Sequence, residues 1–162
     1  MIDNFVANVI KFMETKIKKN DYLKYWRVIR YFVKAKYGLS TADLEVLLFL
    51  YSEKYFGKDS FEEFNRLLSW DEKRFDRLLR DGWIDVFRKR SGKYKTLYQL
   101  SYKGQRMVYS VYEKLNGEEI SVSRTKNPLF AKKISFTDKI YCEMIKKMNE
   151  FIRQQRRRDA EE

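Results

Sequence analysis

This sequence contains no histidine, one cysteine and one proline, and these scarcities exclude several classes of site. Without histidine, the chain cannot itself assemble a Ser-His-Asp triad, a Cys-His pair or a zinc site built on histidine. The single Cys142 cannot form an internal disulfide, which is compatible with a reducing compartment. The six glycines are scattered at turns, so the chain has no glycine-rich loop that could hold a phosphate.

Long apolar runs are also missing. The longest extends from Val46 to Tyr51, far below the ~20 residues that a membrane span needs. No basic leader followed by an apolar segment and a small-residue cleavage site is seen, so we expect a cytoplasmic protein without a membrane partner. The 17% aromatic content argues against disorder and favours a folded core.

Carboxylates alone could still support metal-dependent chemistry, and we interpret their clusters as helix caps. The two groups are Asp59, Glu62 and Glu63, and Asp71, Glu72 and Asp76. Ser60 precedes Glu63 by three residues, and Ser69 precedes Glu72 by three, which is the spacing of a capping box. Acidic side chains in a first turn also interact favourably with the helix dipole. We therefore predict no enzymatic activity, no metal site and no cofactor.

Positive charge, by contrast, is abundant. The 35 lysines and arginines against 23 acidic residues give a formal charge of +12. A field of this size raises the encounter rate with any polyanion, although it does not determine the fold.

The patterns between Leu39 and Asn116 predict three helices, a basic hairpin and a fourth helix, which is the order of a winged helix-turn-helix. In that motif the second helix lies in the major groove, and a basic ribbon suits phosphates or the minor groove. The predicted DNA contacts of the recognition helix are Lys73, Arg74, Arg77 and Arg80. Those of the wing are Arg88, Lys89, Arg90, Lys93 and Lys95. The alternatives are a solvated helix face and a strand edge made soluble by lysines.

Amphipathic helices are predicted on both sides of this domain. Each has an apolar stripe that needs a partner surface, and pairing them across two subunits would produce a two-fold dimer with two recognition helices. The predicted dimerisation residues are Phe5, Val9, Ile10, Ile140, Met144, Ile145, Met148, Phe151 and Ile152.

The predicted fold class is mainly α with a small β-hairpin wing (α+β), a winged helix-turn-helix with N- and C-terminal dimerisation helices. The predicted parts are an N-terminal arm at 1–38, the DNA-binding domain at 39–116, a linker at 117–136, and a C-terminal helix with a basic tail at 137–162.

Four motifs between residues 39 and 115 are typical of one family. Leu39-Ser40 opens a helix that contains Val46-Leu47, Leu78-Leu79 precedes Gly82, Trp83-Ile84-Asp85 enters the wing, and Leu100-Ser101-Tyr-Lys-Gly104-Gln-Arg106 leaves it. This pattern resembles the MarR (multiple antibiotic resistance regulator) family of winged-helix transcription factors. The resemblance implies a homodimer on a pseudo-palindromic operator, often released by a small phenolic ligand or by cysteine oxidation.

One departure from this family lies at the wing tip. The family usually has Asp-x-Arg there, whereas this chain has Gly92-Lys93-Tyr94. Arg90, Lys93 or Lys95 is expected to substitute for the missing arginine.

The sequence thus predicts a homodimeric, sequence-specific transcriptional regulator that binds double-stranded DNA, with an unidentified small-molecule effector. One alternative is a winged-helix interaction or structural module of a larger assembly, such as a viral one. The other is a non-specific nucleic-acid binder that uses charge alone.

Overall fold

The structure is a computed structural model that describes residues 4–9, 11, 21–68, 71 and 73–162. Residues 4–9 are helical. Helices α1 (Trp26–Tyr37), α2 (Thr41–Glu53), α3 (Lys58–Leu68) and α4 (Lys73–Arg80) are followed by strands β1 (Ile84–Arg88) and β2 (Leu97–Leu100), then by helices α5 (Tyr102–Leu115) and α6 (Phe136–Glu161). Short 3-10 helices lie at Asp21–Tyr25 and Pro128–Phe130. This mainly helical chain with one antiparallel hairpin confirms the α+β class.

The chain forms two compact units. The hairpin unit contains residues 37–110, and the helical unit contains residues 1–36 together with 111–162. The N- and C-terminal segments, which the sequence patterns assigned to separate arms, therefore belong to one unit.

The segment 117–136 is packed into the helical unit, in contrast to the predicted linker. Ile120 and Leu129 are buried within it. The amide of Asn149, on α6, accepts a hydrogen bond from the Ile120 N–H (2.9 Å) and donates one to the Ile120 carbonyl (2.8 Å). Because buried backbone groups need partners, the two hydrogen bonds of Asn149 allow Ile120 to lie in the interior of the helical unit.

Helix α6 begins at Phe136 because Ser135 caps it. The Ser135 hydroxyl accepts from the Asp138 N–H, and the Asp138 carboxylate accepts from the Ser135 N–H, which together form a capping box. Asp138 also accepts a hydrogen bond from the Tyr31 hydroxyl (2.6 Å), and the Tyr31 ring stacks on Tyr141. The hydrogen bond to Asp138, assisted by burial, raises the pKa of Tyr31 to about 12.

Helix α2 contributes four buried apolar side chains to the core of the hairpin unit. Its N terminus is capped by Ser40, whose hydroxyl accepts from the Asp43 N–H (3.1 Å). Its buried side chains are Leu44, Val46, Leu47 and Leu50. Tyr51, at the end of the apolar run from Val46, is exposed.

One extended residue from outside the hairpin, Phe56, pairs with strand β2. In the hairpin itself, Ile84 pairs with Leu100 and Val86 with Tyr98, and the register shifts between Val86 and Arg88. Phe56, between α2 and α3, forms an antiparallel bridge to Tyr98 through hydrogen bonds of 3.1 and 2.8 Å. Strand β2 therefore lies between β1 and Phe56.

Gly104 belongs to the Leu100–Arg106 motif that follows the hairpin, and the structure shows why glycine occupies this position. A Cβ at this position would lie 2.9 Å from the Trp83 carbonyl oxygen. The preceding Ser101 accepts a hydrogen bond from the Gly104 N–H (3.1 Å), as expected of a residue that caps α5. Glycine is therefore required because helix and backbone approach closely here.

Candidate nucleic-acid interface

Helix α4, the predicted recognition helix, is anchored by two buried residues, Phe75 and Leu78. The Phe75 ring lies 5.1 Å from that of Phe61 on α3 and 5.0 Å from that of Tyr98 on β2. The helix ends before Gly82, as predicted, where a φ of +81° suits glycine. The apolar contacts fix α4 against α3 and β2 and leave its charged side chains on the other faces.

Two of the four predicted contacts on α4 are held by Asp43 of α2. The Asp43 carboxylate accepts hydrogen bonds from the guanidinium groups of Arg74 and Arg77, the latter at 3.2 Å. The side chains of Asp43 and Arg74 are each only 14% exposed. Burial acts to raise the pKa of Asp43, but hydrogen bonds from Arg74, Ser40 and Arg77 outweigh burial and lower it.

Arg74 is therefore a structural residue that fastens α4 to α2, in contrast to its predicted role as a DNA contact. Arg77 is partly exposed and also lies 3.7 Å from Asp71. The partner Asp43 lies 31 positions before Arg74, so the helical spacing of the arginines did not reveal it.

The exposed face of α4 carries Lys73, Asp76 and Arg80, which the helical repeat aligns. The Arg80 side chain is 75% exposed, with Asp81 3.6 Å from its Nε. Asp76 would repel phosphate, but it accepts a hydrogen bond from Lys58 (2.9 Å) on α3, which raises the pKa of Lys58. Lys73 and Arg80 are the α4 cations best placed to contact a polyanion.

The hairpin extends beyond its regular strands to a narrow tip. Ser91 and Tyr94 exchange backbone hydrogen bonds of 3.0 Å, and Gly92, between them, has a φ of +56°. The Arg90 N–H donates to the Thr96 hydroxyl (3.2 Å). Gly92 therefore provides the turn, as the sequence predicted.

All five predicted wing cations are exposed: Arg88, Lys89, Arg90, Lys93 and Lys95. Lys95 forms an ion pair with Asp59 of α3. Within the described residues, none of the other four has an acidic partner within ion-pair distance, and Arg88 lies over the ring of Tyr94 at 5.3 Å. The wing thus presents four cations whose charge is not neutralised by ion pairing.

The first acidic group differs from the predicted capping box. Helix α3 begins at Lys58, so Ser60 lies inside its first turn rather than before it. The Phe61 N–H donates to the Gly57 carbonyl (3.3 Å), which shows that the helix starts earlier. The second box, Ser69 to Glu72, lies outside the described residues. Among those residues, no group of three or more potential metal ligands comes together.

Three predicted dimerisation residues are buried inside the helical unit. Ile145, Met148 and Ile152 are fully buried in a single chain. A side chain that is buried within its own subunit cannot also cover a partner, so these three are core residues and not interface residues. Phe151 is half-buried, with its ring 5.7 Å from that of Tyr25.

The other predicted dimerisation residues remain on the surface where they are described. Ile140 and Met144 are exposed on α6, and Phe5 and Val9 are exposed in the N-terminal helical segment. Ile10 lies outside the described residues.

Cys142 is buried, and its thiol donates a hydrogen bond to the Leu129 carbonyl (3.0 Å). Burial, followed by the nearby Asp138, raises the pKa of the thiol. Because the thiolate is the reactive form, this environment does not favour redox sensing by Cys142.

The helical unit also has an open groove of about 500 Å³. The cations that line it are Lys36, Lys114, Lys126 and Arg153, and the acids are Glu118 and Glu119. Glu118 pairs with the buried Lys114 (2.5 Å), and Glu119 pairs with Arg153 (2.8 Å).

Comparison with protein-family models, with curated proteins and with solved structures finds no match to this chain. No helix in the described part of the chain combines the length and apolar composition that crossing a membrane requires.

Proposed function

We propose that this protein binds double-stranded DNA as a winged helix, with α4 in the major groove and the hairpin along the backbone. The observation that carries the proposal is the hairpin tip, where Arg88, Lys89, Arg90 and Lys93 are exposed without acidic partners. A protruding ribbon of this kind buries little apolar surface, so its cations are best explained by contact with phosphates.

The element order supports the same proposal. Helix α2, the bridging residue Phe56, helices α3 and α4, and strands β1 and β2 follow one another as in a winged helix. In this arrangement the α3–α4 pair is the helix-turn-helix, and α4 reads the groove. The residues of α4 that we now expect to contact DNA in the major groove are Lys73 and Arg80. The exposed part of the Arg77 side chain is expected to contribute as well.

A regulator should prefer a defined sequence. Selection from a random DNA pool, followed by titration at fixed salt, should yield a site bound about 10³-fold more tightly than random DNA. A ratio near one would favour the non-specific binder, and the +12 charge of the chain is the feature that supports that second candidate.

The two basic elements should contribute differently to binding. Arg80→Ala should cost about 1–3 kcal/mol on the selected site and less on random DNA, whereas Lys93→Ala should weaken all sequences alike. Lys103→Ala is the matched control, because Lys103 lies on α5 over the Trp83 ring (4.0 Å). Equal losses on both DNAs for Arg80→Ala would contradict the major-groove assignment.

The homodimer and the MarR-like regulatory role remain part of this proposal. Of the predicted dimerisation residues on α6, Ile140 and Met144 are exposed and can contact a second subunit without disrupting the core. Ile140→Asp with Met144→Asp should therefore produce a folded monomer and weaken binding to a two-half-site operator. A wild-type protein that light scattering finds monomeric at micromolar concentration would contradict the dimer.

A further inference from the structure

Two aromatic rings on the hairpin unit are packed against each other and yet remain open to solvent. The rings of Tyr55 and Phe87 have centroids 4.2 Å apart and an interplanar angle of 31°. Their residues are 42% and 49% exposed, respectively. Other aromatic side chains of the described chain, such as Tyr94 and Tyr102, are also exposed, but Tyr55 and Phe87 are exposed while in contact with each other and so form one continuous aromatic surface.

The chain adopts a strained turn immediately before Tyr55. Lys54 has φ +66° and ψ −70°, and the Tyr55 N–H donates to the Glu53 carbonyl (2.8 Å). These values define a γ-turn of the rare, positive-φ kind, which is unfavourable for a residue with a Cβ. Among the described residues, Lys54 is the one non-glycine position with positive φ.

The residue after Tyr55 fixes the direction of its ring. Phe56 is buried, its ring faces Phe75, and its backbone is bonded to Tyr98 in both directions. Because successive side chains of an extended segment point to opposite faces, Tyr55 points outward. Strand β2 lies between Phe56 and β1, so the Tyr55 and Phe87 rings meet over the outer face of the sheet.

Cations surround this aromatic pair. The Lys54 ammonium lies 5.4 Å from the centre of the Tyr55 ring. Arg88 follows Phe87 in the chain and lies over the exposed ring of Tyr94 (5.3 Å). Within the described residues, no acidic side chain lies within ion-pair distance of Lys54 or Arg88, although Glu53 directly precedes Lys54 and Asp85 lies on β1 itself.

We infer that Tyr55 and Phe87 form a stacking platform for an unpaired nucleobase, with Lys54 and Arg88 contacting the phosphates beside it. Exposed aromatic faces combined with cations are the usual means of binding single strands. Bases inside a duplex are already stacked on each other and cannot offer their faces to a protein ring. The occupant is therefore single-stranded DNA, single-stranded RNA or a base extruded from a duplex.

This inference does not depend on the proposed duplex binding. Duplex recognition is assigned to Lys73, Arg80 and the wing tip, whereas base stacking is assigned to Tyr55 and Phe87. Arg88 contacts phosphate in both, so the test relies on the two rings and not on Arg88. Either one can fail while the other holds, so separate single-strand and duplex titrations distinguish them.

The experiment measures fluorescence anisotropy with four labelled probes at one salt concentration: a thymidine 12-mer, a uridine 12-mer, a 12-mer of abasic sites, and a random duplex. The abasic strand keeps the phosphates but has no bases. The wild-type protein should bind the thymidine and uridine strands about 10-fold or more tightly than the abasic strand. The DNA and RNA arms show which sugar is preferred.

Substitutions then test the rings themselves. Tyr55→Ala and Phe87→Ala should each weaken binding to base-containing strands about 10-fold and leave abasic and duplex binding nearly unchanged. Tyr55→Trp should retain binding, because indole stacks at least as well as phenol. Tyr102→Ala is the matched control, since Tyr102 is exposed on α5 and has Arg106 5.6 Å from its ring.

Tyr55→Leu separates stacking from packing, because leucine covers the sheet but has no π-face. A Tyr55→Leu protein that binds single strands as tightly as the wild type would overturn the inference. Equal wild-type affinity for the thymidine, uridine and abasic strands would overturn it as well.

Discussion

The two units of this protein contain similar numbers of residues but use charge differently. The hairpin unit has 14 basic and 11 acidic residues, whereas the helical unit has 21 basic and 12 acidic residues. The net charges are therefore +3 and +9. Most of the excess positive charge lies outside the part of the chain that the sequence predicted to bind DNA.

Within the hairpin unit, several cations hold secondary structure together. Arg74 and Arg77 join α4 to α2 through Asp43, and Lys58 joins α3 to α4 through Asp76. Net charge alone therefore does not locate a binding surface. The ion pairs distinguish cations that hold helices together, such as Arg74, from cations such as Arg90 and Lys93 that have no acidic partner among the described residues.

In the helical unit the buried amide of Asn149 satisfies two buried backbone groups, and its removal is the variant for which we expect the largest effect. Asn149→Ala leaves the buried N–H and carbonyl of Ile120 without partners and should cost about 3 kcal/mol of unfolding free energy. Denaturant unfolding measures the loss, and hydrogen exchange should locate the lost protection in peptides from residues 111–162.

Gln154→Ala, at an exposed position of the same helix, is the control and should change stability by less than about 0.5 kcal/mol. If Asn149→Ala changes stability no more than this control, segment 117–136 is not anchored through Asn149.

In the hairpin unit, the largest loss of stability should follow replacement of Asp43, the carboxylate that accepts hydrogen bonds from Arg74 and Arg77. Asp43→Asn removes the charge that compensates the largely buried Arg74 and should cost about 2 kcal/mol, measured by thermal or denaturant unfolding. Asp76→Asn breaks an exposed pair and should cost less than about 0.5 kcal/mol. Similar losses for the two variants would mean that burial does not distinguish these pairs.

The same carboxylate should give the hairpin unit an acid-sensitive contribution to stability. The pKa of Asp43 is lowered in the folded state, so its stabilisation is complete above the unfolded value of about 3.9 and is lost as pH falls toward the folded pKa. Unfolding free energies of wild type and Asp43→Asn, measured between pH 2 and 7, should converge at low pH. A constant difference across this range would refute the assignment.

The backbone strain at Lys54 provides a smaller test with the opposite sign. Lys54→Gly should stabilise the protein by about 1 kcal/mol, because glycine adopts positive φ without a Cβ clash. Lys54→Ala removes the same charge but keeps the Cβ and should give no such gain. A Gly variant that is no more stable than the Ala variant would show that the turn is not strained.

In the helical unit, Tyr31 should make stability depend on pH in the alkaline range, as Asp43 does in the acidic range. This is the smallest of the expected effects. The pKa of Tyr31 is raised to about 12, so its stabilisation is complete below the unfolded value of about 10 and is lost as pH rises through 12. Between pH 10 and 12, wild type should lose stability more steeply than Tyr31→Phe in thermal unfolding. If the stability of the two proteins fell in parallel over this pH range, the Tyr31–Asp138 hydrogen bond would not be the cause of the loss.

The local signals of the sequence were reliable. The helix that opens at Ser40, the helix end before Gly82 and the turn at Gly92 all lie where the residue types predicted them. Each depends on the conformational preferences of one residue and its immediate neighbours, which are present in any fold. The capping box at Ser60 was the exception, because the helix already begins at Lys58.

What the residue order determined by itself is the succession of helices and strands, the apolar face of α4 and the basic hairpin. Which cations are free and which apolar stripes are covered was decided only by tertiary structure. Asp43 meets Arg74 across 31 positions, and Asn149 meets Ile120 across 29. Local spacing cannot encode contacts of that range, because an exposed arginine and a buried, paired arginine occupy the same helical repeat and differ only in what the rest of the chain brings beside them.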